Sequence, residues 1–151
     1  MLEQVSGRAG RGTGNGRVVI QTSDPEHPVF HYLVSHDYVA LYHEQIDERR
    51  AYRYPPFFRM LTIVVRGRDA DITEHAAAEL ADRLAGVFSF RCSRVVTPPI
   101  NRINALYVRH IVLRIEANAD IMRAEQLVMQ QITYIHQLPH YKGVTIYADI
   151  D

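Results

Sequence analysis

The spacing of apolar positions changes several times along this chain, and the changes divide it. Residues 1-16 hold five of the eight glycines and show no apolar period. Arg17-Val18-Val19-Ile20-Gln21-Thr22 is rich in β-branched residues and predicts a short strand. Asp24 before Pro25 is a helix entry signal. From Glu26 to Tyr52 the period is helical, with Val29, Leu33, Tyr38, Leu41, Tyr42 and Ile46 as a stripe broken near Ser35-His36. Pro55-Pro56 must stop any helix, since an interior proline costs about 3 kcal/mol.

Beyond that stop, strands and helices alternate. Met60 to Arg66 predicts a strand, and Asp71-Ile72-Thr73-Glu74 predicts a capping box opening a helix with Ile72, Ala76, Leu80 and Leu84 on one face. Phe90 to Val96 predicts a weaker strand closed by Pro98-Pro99, and Tyr107 to Glu116 a strong one. Asn118 or Asp120 caps a second helix with Ile121, Ala124, Leu127, Val128 and Ile135 inward. Gly143 to Ile150 is the last strand. The order βαββαβ predicts an α+β fold, a ferredoxin-like domain over residues 57-151 with two helices on one face of a four-stranded sheet. Period-two alternation turns Leu61, Ile63, Ile111, Leu113, Val144 and Ile146 to the helices. The other face then shows Thr62, Val64, His110, Val112, Arg114, Thr145 and Tyr147, apolar enough to predict packing against another part of a larger protein or a second copy. A lone strand at residues 17-22 has no partner in the chain, which points to a piece of a larger protein.

The 151 residues suit one domain with a fragment of another, and 47% hydrophobic content excludes global disorder. Lys+Arg and Asp+Glu number 17 each, so net charge does not specify a partner class. Sixteen of the 17 basic residues are arginine, the better fork for phosphate or carboxylate, Lys142 being the exception. Cys92 stands alone, excluding a disulfide framework and a thiolate metal cluster. No apolar run reaches the roughly 20 residues of a membrane span, and no signal-peptide core opens the chain. The expectation is a cytoplasmic protein without membrane contact.

Three groups carry candidate chemistry. Gln4-Val5-Ser6-Gly7-Arg8-Ala9-Gly10-Arg11 sets two arginines among glycines, where backbone can approach a phosphate and forked donors can meet its charge. A glycine-arginine tail with unspecific anion affinity has the same composition. Arg49, Arg50, Arg53 and Arg59 interleave with Tyr52, Tyr54, Phe57 and Phe58, the composition of a single-strand-binding surface and equally of aromatic packing at a junction. Arg102, Arg109 and Arg114 surround the Asn101-Tyr107 loop as a second candidate contact. His27 and His31, like His136 and His140, stand four apart, but each pair lacks a third ligand, and no metal site is expected.

Gln4-x-x-Gly7-Arg8-x-Gly10-Arg11 resembles the last conserved motif of superfamily-two helicases, which leads into a strand of the second RecA-like lobe. Gly16 to Thr22, Pro25-Glu26-His27-Pro28, Glu48-Arg49-Arg50 and Tyr54-Pro55-Pro56-Phe57 resemble the C-terminal third of the PriA family of primosomal replication-restart helicases. Pro98-Pro99, Tyr107-Val108-Arg109, Ile111 to Arg114 and Ala148 to Asp151 are similar to later blocks of that family. The family's glycine-proline turn is reduced here to Val96-Thr97-Pro98-Pro99-Ile100. The resemblance implies that residues 1-23 end the RecA-like lobe, residues 24-56 form a helical connector, and residues 57-151 the ferredoxin-like domain. It implies an ATP-dependent 3′ to 5′ DNA helicase that restarts stalled forks and assembles the primosome. Arg11 would be the arginine finger, Arg8 a second phosphate contact and Gln4 a positioning group. Arg49, Arg50, Arg53, Tyr54, Arg59, Arg102 and Arg109 would meet DNA. The implied cofactors are ATP and Mg2+, with zinc in the parent outside this stretch. The implied partners are forked and single-stranded DNA, single-stranded-DNA-binding protein and other primosome proteins, and the isolated chain could pair as a homodimer. Without GxxxxGK[ST], the chain alone is expected to be inactive. The competing expectation is a free-standing ferredoxin-like module with a basic glycine-rich tail that binds nucleic acid or peptide.

Overall fold

A computed structural model describes residues 18–150, so Gln4, Arg8 and Arg11 lie outside the described residues. The chain divides into two compact units, one ending at Glu48 and one beginning at Arg49. In the first, Val18 to Thr22 is exposed and takes no regular secondary structure, contrary to the predicted strand. Strand geometry is held by a neighbour's ladder, and β-branched residues alone do not supply one. Helix α1 covers Pro28–Ser35, with Pro28 in its first turn and Nδ1 of His27 accepting from the Val29 amide at 3.2 Å. The entry therefore lies at the second proline, not at Asp24-Pro25. His36 at φ 56° ends α1, where the apolar stripe broke, and Oδ1 of Asp37 accepts from the Ala40 amide at 2.9 Å to open α2, Tyr38–Ala51. Neither helix buries a residue.

The second unit is an α+β layer pair. Its strands are β1 (Phe58–Gly67), β2 (Arg102–Ile103), β3 (Leu106–Glu116) and β4 (Thr145–Ile150). All pairs are antiparallel and the sheet order is β2-β3-β1-β4. Helix α3 (Ala70–Phe88) follows β1, and α4 (Ile121–Gln137) follows β3. With α1 and α2, the described residues hold four α-helices and one four-stranded antiparallel sheet.

The core lies between one sheet face and the two long helices. Leu61, Ile63, Val65, Ile111, Leu113 and Ile115 meet Ala76, Leu80, Leu84, Val128, Ile132 and Ile135. The predicted alternation holds, for Leu61, Ile63, Ile111 and Leu113 are wholly buried. Each such side chain contributes about 1.5–3 kcal/mol. Helix α3 begins two residues before the expected capping box: Oδ1 of Asp69 accepts from the Ile72 amide at 2.9 Å. Ala76, Leu80 and Leu84 face inward as predicted, but at the first turn Thr73 is buried and Ile72 turns outward. Oδ1 of Asp120 caps α4 through the Arg123 amide at 3.1 Å.

The predicted strand from Phe90 to Val96 is largely absent. Ser89, at φ 54°, ends α3 and starts a 3₁₀ turn, Ser89–Arg91. Single bridges follow at Cys92 with Leu113 and at Val96 with His110. Four steps on one side thus face three on the other, so a continuous ladder cannot form. The Asn101-Tyr107 loop is a tight hairpin instead. Asn104 and Ala105 both take positive φ, 51° and 64°, as a two-residue turn matching strand twist requires.

Candidate nucleic-acid interface

Arg49 and Arg50 occupy the last turn of α2. The chain then turns through Tyr52 and Arg53, with the Tyr54 amide donating to the Arg49 carbonyl at 2.7 Å. Arg53 sits at φ 57°, and the Arg53 amide donates to the Arg50 carbonyl at 3.2 Å. This wound turn projects the arginines to different sides. Nη1 of Arg49 donates to the Pro55 carbonyl at 3.1 Å, so part of its fork closes the turn. The Arg50 guanidinium lies 4.5 Å from the Phe57 ring centre. Arg53 lies 4.5 Å from the ring of Phe90, and Arg91 lies 4.8 Å from the same ring. Arg114 approaches Tyr54 at 5.7 Å. Arg59, near the start of β1, is exposed.

Tyr52, Tyr54 and Phe90 stay open to solvent, while Phe57 and Phe58 are half-buried. Phe90 is 61% exposed and Tyr52 64%, so neither is spent on the core. Arg91 is anchored differently from Arg53: its Nε donates to Glu116 Oε2 at 2.8 Å and its Nη2 meets Oε1 at 2.8 Å. Hydrogen bonding from Arg91 holds the Glu116 carboxyl below the ordinary carboxylate range, and the same bond raises the Arg91 guanidinium. The cluster thus presents cations stacked on rings, with one carboxylate already neutralised. Exposed rings beside arginines are the composition that suits base stacking with phosphates at the rim.

The second predicted group stands at the opposite end of the sheet. The β1–β3 ladder runs from Phe58 with Glu116 to Gly67 with Tyr107, about 30 Å at the usual rise. Arg102, exposed on the hairpin, lies 5.2 Å from the Tyr107 ring. Arg109 points to the helix layer, where its Nε bonds Glu74 of α3 and its Nη1 donates to the Val108 carbonyl at 2.8 Å. With a 12% exposed side chain, Arg109 braces β3 against α3. Arg114 does not join the hairpin group, contrary to the expectation from sequence. It stands eight residues along β3 from Leu106, beside Tyr54. Phe90 and Arg91 complete the junction although sequence periodicity gave no sign of them, because they enter through the helix end at Ser89.

No group of three His, Cys, Asp or Glu side chains among the described residues could hold a metal ion. His27 and His31 lie at and within α1, while His136 and His140 flank the end of α4. Cys92 is half-buried against the core, and burial pushes its thiol up to about 11. No helix among the described residues is long and apolar enough to cross a membrane.

No protein-family model matches the chain. It is similar to the replication restart protein PriA of Bacillus subtilis, 30% identical over 127 residues, which is 80% of this chain and 15% of the relative. It is also similar to the replication restart proteins PriA of Synechocystis sp., 37% over 86 residues (55% of this chain, 10% of the relative), and of Haemophilus influenzae, 37% over 79 residues (52% and 11%). The chain therefore spans about a tenth to a seventh of the length of these relatives. With 30% identity to one relative over four fifths of its length, the chain belongs to the PriA family of replication restart proteins, as its C-terminal part.

Proposed function

We propose that this chain is the nucleic-acid-binding C-terminal portion of an ATP-dependent 3′ to 5′ DNA helicase that restarts stalled replication forks. The observation that carries the binding role is the exposed Phe90 ring with Arg53 and Arg91 both within 5 Å of it, beside Arg50 on Phe57. Residues 57-151 form the ferredoxin-like domain in this proposal, supported by the βαββαβ order and the strand order. Residues 1-23 end a RecA-like lobe, and residues 24-56 connect the two.

In that setting Arg11 is the arginine finger, Arg8 a second phosphate contact and Gln4 a positioning group. ATP with Mg2+ supplies the driving chemistry from elsewhere in the full protein, and any zinc is held there too. Arg49, Arg50, Arg53, Tyr54 and Arg59 take the DNA strand, Arg102 touches it from the hairpin end, and Arg109 holds β3 in place. Single-stranded-DNA-binding protein and primosome proteins are the protein partners, in the cytoplasm. The proposal is tested by Arg49→Glu with Arg53→Glu in one folded chain, titrated against labelled single-stranded DNA at low salt. Affinity should fall by about tenfold or more, with a shallower salt dependence. Unchanged affinity and slope would reject the junction as a DNA surface.

A further inference from the structure

The sheet face turned away from α3 and α4 has its own pattern of charge. Val64 stands there between His110 of β3 and Tyr147 of β4. Arg66 flanks this floor at one end, its guanidinium 5.0 Å from the Tyr147 ring. Arg114 flanks it at the other, against Tyr54. Arg114 is opposite Met60, six residues from Arg66 along β1, so the two cations lie about 20 Å apart. The Nε of each is buried with no acceptor among the described residues. Both side chains are otherwise part-exposed, and an anionic oxygen is the acceptor that best suits a guanidinium.

We propose that this face binds single-stranded nucleic acid, with two or three bases over Tyr147 and the apolar floor and phosphates on Arg66 and Arg114. A four-stranded sheet offers stacking room of that size, and arginine beside an exposed ring suits both parts of a nucleotide. The surface continues the junction already proposed, since the Tyr54–Arg114 pair belongs to both. A second copy fits less well. Three strands over this length present about 300 Å², against about 800 Å² per partner in a stable interface, and self-pairing sets arginine on arginine. Asp149, exposed on the edge strand opposite Thr62, opposes a phosphate and so marks the side the strand avoids.

The test uses the 151-residue chain and fluorescein-labelled dT12, followed by anisotropy at low salt. Tyr147→Ala should weaken binding by about tenfold, while Tyr147→Phe keeps it because stacking needs only the ring. Arg66→Gln should lower the salt slope by about one, and Asp149→Asn should tighten binding. Circular dichroism confirms that each variant is folded. If Tyr147→Ala and Arg66→Gln bind like the parent while the Arg49/Arg53 charge reversal loses affinity, the sheet proposal falls and the junction stands. If the sheet variants weaken and the charge reversal does not, the junction falls and the sheet stands. A parent chain that fails to bind dT12 overturns both. A change in sedimentation with unchanged dT12 affinity assigns the face to self-association and overturns the proposal.

Discussion

A β-carbon placed on Gly67 would stand 2.3 Å from Oγ1 of Thr73, where β1 ends against the first turn of α3. Thr73 is fully buried and its hydroxyl donates to the Asp69 carbonyl, so it has little freedom to withdraw. Gly67→Ala should therefore destabilise the fold by about 1–3 kcal/mol, as overpacking does. In a Thr73→Ala background the same change should cost less, because the clashing atom is gone. Urea unfolding of the four proteins gives the coupling directly, and additive losses would show that Thr73 is not the obstacle.

Glu116 supplies a pH dependence with a definite sign. Its carboxyl is held low in the folded chain, chiefly by the Arg91 hydrogen bond, relative to about 4.3 in an unfolded chain. The folded state therefore favours the ionised form. That stabilisation is present above the unfolded value and is lost as pH falls through the lower folded value. Glu116→Gln should melt lower than the parent at pH 7, and the two should converge on acidification. A constant gap in Tm down to acid would mean the Arg91 pair contributes nothing through charge. The same variant frees Arg91 at the junction, so its affinity for an oligonucleotide should rise.

How much of this could be read from sequence follows from the range of each signal. Alternation at Leu61, Ile63, Ile111 and Leu113 placed the core face correctly, because side-chain direction in a strand is local and periodic. The helix break at Ser35-His36 was visible for the same reason. Nearness in sequence sets Arg114 with the hairpin, but eight residues of strand carry it about 26 Å away. Aromatic and β-branched content around Phe90 predicts a strand, but the left-handed turn at Ser89, a residue with no glycine signal, redirects the chain. Val18 to Thr22 shows the reverse failure, with strand composition and no neighbouring ladder among the described residues.

Cys92 should behave as a small apolar residue. It packs against the core, its Sγ is 3.3 Å from the Ser93 carbonyl, and burial pushes its thiol up to about 11. Only the thiolate is a good nucleophile, so at pH 8 the native chain should react slowly with a disulfide reagent. Unfolding in urea should bring the rate to that of a free cysteine, near its ordinary value of about 8.5. Equal rates in the native and unfolded chains would contradict this burial.

Phe90 separates binding from packing most cleanly. Its ring is 61% exposed, it lies outside the core cluster, and its neighbours are the guanidiniums of Arg53 and Arg91. Removing the ring should therefore leave stability nearly unchanged, within about 0.5 kcal/mol for a surface site. Both arginines survive the change, and Arg91 keeps its Glu116 pair, so the charge at the junction is preserved. If the ring serves to stack a base, Phe90→Ala should weaken single-stranded DNA binding by about fivefold or more. Its salt slope should stay that of the parent, because no phosphate contact is lost. Phe90→Leu restores apolar bulk without a π-face and should not rescue affinity, whereas Phe90→Tyr should. Rescue by leucine would make Phe90 a hydrophobic spacer for the arginines. Full affinity in Phe90→Ala would remove it from the interface.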